Sequence, residues 1–426
     1  MMDDDASFVG YNTWAVEALD VALNADLVYE ESSGGDRGVF VSEAIKAHTA
    51  ILSIPFESLL NLYSIAASPL AEIPHLHERE DDCLAWFLLY ETHLNKASKW
   101  MRHIAVLPRT FHNILYLSDA DIERLEGSNV YYVARHLQSQ VAADFDELTT
   151  TILPETLRAL AADHSADAIL AAFTLENYKW ALSVIWSRFV SVATSTDSMV
   201  KCMVPVFDMF NHDPSAQMAH GFDPRTNSFV LQSHQYWAPG GQVFINYGAL
   251  PNHKLLTLYG FVLEKNAYDT VELWAPMSQD APYYDRKMAF ITAHGLGHHA
   301  RVPFDLTTLG VNEELLAYLR IQRMEVDELS SFEGSTFAYK ALSNENEKST
   351  LTALIFALQS MRDRFPTSIE EDDMLMKTLS ASEADAHTRM VVLLRRSDKA
   401  ILTQHIDWLQ EKLIPVLASM TASAQD

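Results

Sequence analysis

Cysteine is nearly absent: among 426 residues only Cys83 and Cys202 occur. Two thiols cannot carry a disulfide framework, and their scarcity points to a reducing compartment. Basic residues are also few, 31 Lys and Arg against 57 Asp and Glu, for a formal net charge of −26. Binding to nucleic-acid phosphates needs patches of Lys and Arg, so the balance argues against direct nucleic-acid partners. It is compatible with steering basic protein partners, although solubility accounts for the larger share of it. No apolar run approaches the roughly 20 residues of a membrane span; residues 83–90 form one of the longest and read as buried helix. The first six residues are acidic and lack both a basic segment followed by an apolar core and an Arg-rich amphipathic pattern. No secretory or organelle signal is expected, and cytoplasm or nucleus is the expected location. There is no His-Glu-x-x-His motif, and the carboxylates are spread rather than clustered, which weighs against a metal-dependent hydrolase. No internal repeat or long low-complexity linker is evident.

What is present is an ordinary globular composition, 48% apolar and 21% charged, in a chain long enough for two or three domains. The hydrophobic period changes four times along it. Residues 8–24 read as an amphipathic helix, and short strands follow at 27–30, 39–41 and 50–55, with a Gly-rich turn at 32–38. From about 65 to 194 the spacing is helical, ending in the apolar segment 178–192. Residues 216–248 alternate as strands around the turns at 223–227 and 239–241. Asn252 opens a short helix, and beyond 273 the pattern is mainly helical, with helices expected at 284–294, 313–324, 344–364 and 384–413. The implied class is α+β. The expected divisions are 1–64, 65–194, 195–275 and 276–426.

The chemistry concentrates in residues 202–262. An apolar segment there ends in Asp208, Asn211 and His212; Tyr247-Gly248 and Tyr259-Gly260-Phe261 follow. Polar groups planted in apolar runs are costly to bury unless something hydrogen-bonds them, so three such clusters suggest a built site. The run Asp208-Met209-Phe210-Asn211-His212-Asp213, with Tyr247-Gly248, Asn252 and Leu255-Leu256-Thr257-Leu258-Tyr259-Gly260-Phe261 behind it, resembles the C-terminal half of a SET domain of the Rubisco large-subunit methyltransferase class. Gly38-Val39-Phe40-Val41 and Ile51-Leu52-Ser53-Ile54-Pro55 resemble its opening. The resemblance implies a β-rich SET domain interrupted by a helical insertion and followed by an all-helical, substrate-binding C-terminal domain. Two thiols cannot supply the Cys-rich zinc clusters that flank many histone-modifying SET domains.

That resemblance also implies methyl transfer from S-adenosylmethionine to a protein side-chain nitrogen, by direct in-line displacement and without a metal. Tyr247 is the implied catalytic tyrosine. Arg37, Gly38, Arg188, Asp208, Asn211, His212, Tyr247, Tyr259 and Phe261 would meet the donor, and Phe207, Phe189 and Tyr259 the acceptor. Arg188 would hold the donor's carboxylate, for which a guanidinium fork is suited; its bland alternative is a salt bridge to a buried carboxylate. Asp208 would orient this segment or Arg188. A free lysine is deprotonated roughly once in a thousand at neutral pH, a handicap of about 4 kcal/mol that burial can offset. Orienting two reactants can contribute roughly 7–11 kcal/mol, so these residues are positioners first. Phe189-Val190 after Arg188 offers no amide to pin an imidazole, which favours lysine over histidine as acceptor. The remaining alternative is a SET-like binding module without turnover. A monomer is expected. His294, His298 and His299 are read as a solvated loop, because Gly295 and Gly297 interrupt the helix and no carboxylate is adjacent in sequence.

Overall fold

The computed structural model describes residues 8–31, 37–72, 79–154, 165–194, 199–332, 340–380 and 385–423. Most of the Gly-rich turn, residues 32–36, lies outside the described residues. The chain forms two compact units: Met1–Leu115 with Leu137–Ala249, and Tyr116–His136 with Leu250–Asp426.

The first unit holds ten strands among its described residues. They are β1 (Ala22–Leu23), β2 (Leu27–Glu31), β3 (Arg37–Val41), β4 (Thr49–Pro55), β5 (Phe189–Ala193), β6 (Met199–Met203), β7 (Asn211–His212), β8 (Met218–Asp223), β9 (Ser228–Ser233) and β10 (Gln242–Ile245). One sheet runs β1-β4-β9-β8 and a second β2-β3-β10-β7, while β5 and β6 pair as a separate hairpin. Alternation along β4 and β9 buries Ile51, Leu52, Ile54, Phe229 and Leu231 completely. β10 pairs antiparallel with β3, setting Val243 opposite Val39, and parallel with β7, setting Ile245 opposite His212. The helices Glu80–Leu94 and Leu175–Arg188 sit between the two β-rich stretches in sequence. They pack through Trp86 and Tyr178, whose rings are 5.8 Å apart and nearly parallel.

Two boundaries differ from the sequence reading. The N-terminal helix is only Tyr11–Leu19, because Asp20 takes a left-handed conformation (φ 54°) and the chain turns into β1. The apolar segment expected as helix to residue 192 stops at Arg188. Val190 and Val192 are β-branched and continue as β5, paired residue by residue with β6.

The second unit begins with the helix Asn252–Lys254, which widens into a π turn, Leu255–Tyr259, closed by Gly260 at φ 77°. Two strands, β11 (Thr270–Leu273) and β12 (Phe304–Thr307), pair antiparallel, so the C-terminal region is helical but for one strand. Helices Tyr284–Ala293, Glu313–Gln322, Asn344–Arg362, Ile369–Thr378 and Ala386–Ser423 surround a core that includes Leu315, Tyr318, Leu351, Leu358 and Leu402. The last helix outruns its expected end at 413: Pro415 removes one amide donor but does not stop it. Inside this unit lies a closed ionic network. Asp372 accepts from Arg395 Nη2 at 2.6 Å and meets Lys399 Nζ at 2.7 Å, and all three side chains are at most 4% exposed. Arg395 also donates to the Arg124 carbonyl (3.0 Å), and Lys399 to those of Thr367 and Ser368 (2.7 and 2.9 Å).

The histidine-rich turn corrects the sequence reading. His299 is 8% exposed, not solvated, and its ring stacks on Phe304 with centroids 3.7 Å apart. A carboxylate does approach it, from Glu314 on the next helix, at 3.4 Å. Among the described residues no helix is long and apolar enough to cross a membrane.

Candidate functional site

Within the first unit, the segment from Asp208 to His212 is gripped from several sides. Tyr247 lies just past β10, and its hydroxyl donates to the Phe210 carbonyl at 2.8 Å. Its amide donates to His212 Nδ1 at 3.1 Å, and the two rings stack 5.0 Å apart. With Nδ1 accepting, the other ring nitrogen of His212 carries the proton. Burial also lowers the pKa of His212, keeping the imidazole neutral. Asn211 Nδ2 donates to the Arg37 carbonyl at 2.9 Å, tying β7 to the start of β3. At Gly38 a Cβ would lie 2.1 Å from Gln242 Nε2 and 3.3 Å from Asn211 Nδ2, so a larger residue would displace the Gln242 amide.

Arg188 closes the helix Leu175–Arg188 and donates through Nη1 to the Asp208 carbonyl at 2.7 Å. The Asp208 carboxylate is 3.9 Å away, too far for a hydrogen bond. That carboxylate is fully buried and faces His103 Nε2 at 3.0 Å, and His103 Nδ1 lies 2.5 Å from the Tyr11 hydroxyl. The Tyr11 hydroxyl also accepts from the Val206 amide at 3.3 Å. Burial pushes the Tyr11 phenol well up, so it remains a neutral donor and acceptor. Val206 sits at φ 71°, ψ −50°, a strained conformation for a β-branched residue, held where the chain enters this segment. The salt-bridge alternative for Arg188 is present only as a long contact, its short bond going to the carbonyl. The nearest partner of the Asp208 carboxylate is the His103 imidazole, and Arg188 keeps Nε and Nη2 without a hydrogen bond among the described residues, its side chain 21% exposed. Arg37 is close enough for Arg188 to depress its pKa further, after burial, which is the larger cause. Two guanidinium groups in mutual repulsion, one with an open edge, form a place for an anion.

The acceptor-side residues fall differently. Phe207 is 1% exposed, its ring packed against His220 (4.9 Å) and Phe229 (4.8 Å). Phe189 is half-buried at the start of β5, opposite Met203. In the second unit, Tyr259 and Phe261 meet edge to face at 6.1 Å, and burial raises the Tyr259 phenol. Asn252 is a clasp for that region: its amide group bonds Leu263 through both carbonyl oxygen and nitrogen, and Asp269 at 2.8 Å. Sequence reasoning missed Tyr11, His103 and Gln242. For His103 a signal exists, a lone polar residue beside the apolar run Ile104-Ala105-Val106-Leu107.

One antiparallel sheet, one mixed sheet with the parallel β7–β10 pairing, and the helices between β4 and β5 form a SET-like fold. The structure matches the SET domain of LSMT bound to lysine and AdoHcy with a TM-score of 0.78 at 20% identity, covering 97% of this chain and 93% of the other. It matches Rubisco LSMT bound to AdoMet with a TM-score of 0.76 at 22% identity, covering 96% and 92%. Residues 278–402 match the family described as Rubisco LSMT substrate-binding. Among curated relatives, the actin-histidine N-methyltransferase of Xenopus tropicalis is 24% identical over 86% of this chain and 63% of its own length. The ribosomal lysine N-methyltransferase set10 of Schizosaccharomyces pombe is 30% identical over 57% of this chain and 42% of its own. The chain thus spans less than two thirds of the length of these relatives.

Proposed function

We propose that the chain is an S-adenosylmethionine-dependent protein N-methyltransferase acting on lysine. The carrying observation is the convergence on residues 208–212: Arg188 on the Asp208 carbonyl, Tyr247 on that of Phe210, Asn211 on Arg37, and His212 on Tyr247. The open edge of Arg188 fits the donor's carboxylate, and the glycine at 38 lets main chain approach a ligand closely. Asn211 and His212 present polar groups suited to the donor's adenine; the His212 ring, occupied by a backbone amide, is no general base in this reading. When bound, the donor supplies a methyl group on a sulfonium for direct transfer to nitrogen. Tyr247 holds its phenol beside the Phe210 carbonyl, where the two oxygens can orient an incoming amine. Within the first unit Phe189 is assigned to acceptor recognition, where an apolar surround favours the uncharged amine; Tyr259 and Phe261 are aromatic candidates of the second unit for the same task. Phe207 supports this region from the core. Residues 276–426 are assigned to holding a protein substrate, and the working location is cytoplasm or nucleus.

A histidine acceptor is the second reading, favoured by the names of the relatives matched over most of the chain. Against it stands the start of β5, where Phe189 and Val190 present no amide to an imidazole. The test is incubation with radiolabelled donor and a lysate from cells lacking the protein, followed by mass spectrometry of the labelled site. Methyl-lysine is expected. Methyl-histidine would replace the first reading with the second, and donor binding with no labelled protein would leave a binding module. Tyr247→Phe is expected to abolish most labelling while the donor still binds; unchanged labelling would remove Tyr247 from its role.

A further inference from the structure

The second unit carries a cluster that methyl transfer does not use. His298, His299 and Glu314 bring one ligand atom each to within 4.8 Å of one another. We propose that these three side chains form a zinc-type divalent-cation site that clips the turn Gly297–Ala300 to the start of the helix Glu313–Gln322.

The distances are compatible with coordination. His299 Nε2 and Glu314 Oε2 are 3.4 Å apart, a hydrogen bond at the long end of the N–H···O range. Ligands about 2.0–2.1 Å from a tetrahedral centre are separated by about 3.3–3.4 Å, so the pair already spans one edge of such a site. His298 Nδ1 lies 3.0 Å from the Gly295 carbonyl. Donation there fixes the tautomer and leaves the Nε2 lone pair for a metal, as ligating histidines are usually held. The imidazoles of His298 and His299 are 3.8 Å apart, so both rings reach the same volume.

A second observation is independent of the cluster's composition. His299 is 8% exposed, and its Nδ1 is buried with no hydrogen-bond partner among the described residues. The buried Nδ1 is not a ligand atom of this cluster; a ring ligating through Nε2 carries its proton there. A cation between Nε2 and the carboxylate replaces a long hydrogen bond with two coordinate bonds. The ring is already immobilised against Phe304, so binding costs it little freedom.

The backbone is equally prepared. Gly295, at φ 75°, ends the helix Tyr284–Ala293 and turns the chain. At Gly297 a Cβ would lie 3.0 Å from Thr292 Oγ1, so the turn packs tightly on that helix. Asn312 caps the next helix by accepting from the Glu314 amide at 2.8 Å, fixing the point from which the carboxylate reaches. Glu314 and His298 are exposed, which gives an ion a path and leaves the fourth position to water. Two imidazoles and one carboxylate suit zinc and its first-row neighbours, not magnesium or calcium.

The test is calorimetric titration of the chelator-stripped full chain with zinc chloride, with magnesium chloride as control. One equivalent of zinc is expected to bind and to raise Tm, because an ion held only by the folded state stabilises it. His298→Ala and Glu314→Gln, both at exposed positions, are each expected to weaken binding by more than about tenfold, since even outer partners of a ligand are worth that much. His294→Ala should leave binding as it is. Absence of a saturable zinc site overturns the proposal. So does zinc binding that survives the His298→Ala/Glu314→Gln double variant, or that falls equally in His294→Ala.

Discussion

Both units bury a carboxylate among basic groups, and they do so to opposite effect. In the second unit Asp372 is sealed by Arg395 and Lys399, and both cations spend further donors on backbone carbonyls. Nothing in that network faces outward. In the first unit Asp208 is equally buried, but its near partner is a histidine, and the arginine beside it bonds a carbonyl and keeps one edge open. A charge network closed on itself holds helices together; one that ends in an under-used guanidinium holds a tool in place. The difference lies in where the last donor points, not in how many ions are present.

Breaking the closed network should have the largest effect on stability. Asp372→Ala leaves two buried cations uncompensated, and a loss of about 3–5 kcal/mol is expected in urea unfolding; a loss under 1 would show that the network is not sealed. Next comes Asp398, 5% exposed, beside Lys399 but without an ion pair of its own. Burial, reinforced by Asp269 and opposed by its hydrogen bond with Ser128 and by Lys399, pushes its pKa up to about 7. Below about pH 4 the folded and unfolded states both hold the proton. Between about 4 and 7 only the folded state does, so this group's contribution falls as pH rises, and the penalty is complete above that window. Asp398→Asn is therefore expected to stabilise the chain by about 2–4 kcal/mol at pH 8 and hardly at all at pH 4. An equal gain at both pH values would show that the carboxyl's charge is not the cause.

The open network should respond more mildly. Tyr11→Phe deletes the hydroxyl shared by His103 and the Val206 amide, at a cost of about 1–3 kcal/mol. Because Asp208 and Arg188 lose their backing, donor KM is expected to rise more than kcat falls; a change in Tm alone would reduce Tyr11 to a packing residue. Arg188→Ala should be smallest in stability, about 1 kcal/mol, while donor affinity drops by tenfold or more. If Arg188→Ala destabilised as much as Asp372→Ala, the contrast between the two networks would fail.

The residues that could be read in advance share one property. Asp208, Asn211, His212, Tyr247 and Arg188 are polar groups inside or beside apolar runs, so local sequence advertises their need for partners. Their partners are less legible. Tyr11 reaches His103 across 92 positions, and His103 reaches Asp208 across 105. The strand alternation at 50–55 and 216–248 was legible because a sheet face repeats every second residue. The end of the helix at Arg188 was not, because the apolar run continues through 189–192 and only β-branching at Val190 and Val192 marks the change. His299 and Glu314 are 15 positions apart, and the path of the chain between them, out along β12 and back to the helix Glu313–Gln322, makes them neighbours.

The wide turn at Leu255–Tyr259 has a consequence for how this molecule can change over time. A π turn accommodates one residue more than an α turn. Removing Thr257 would let the coil tighten to an α turn, in which about four residues complete the revolution that five complete now. The heading of Tyr259 and Phe261 would therefore be nearly kept, whereas the same deletion in a regular α-helix would turn everything after it by about 100°. The wide turn is thus a place where chain length can change by one residue without redirecting the aromatic pair.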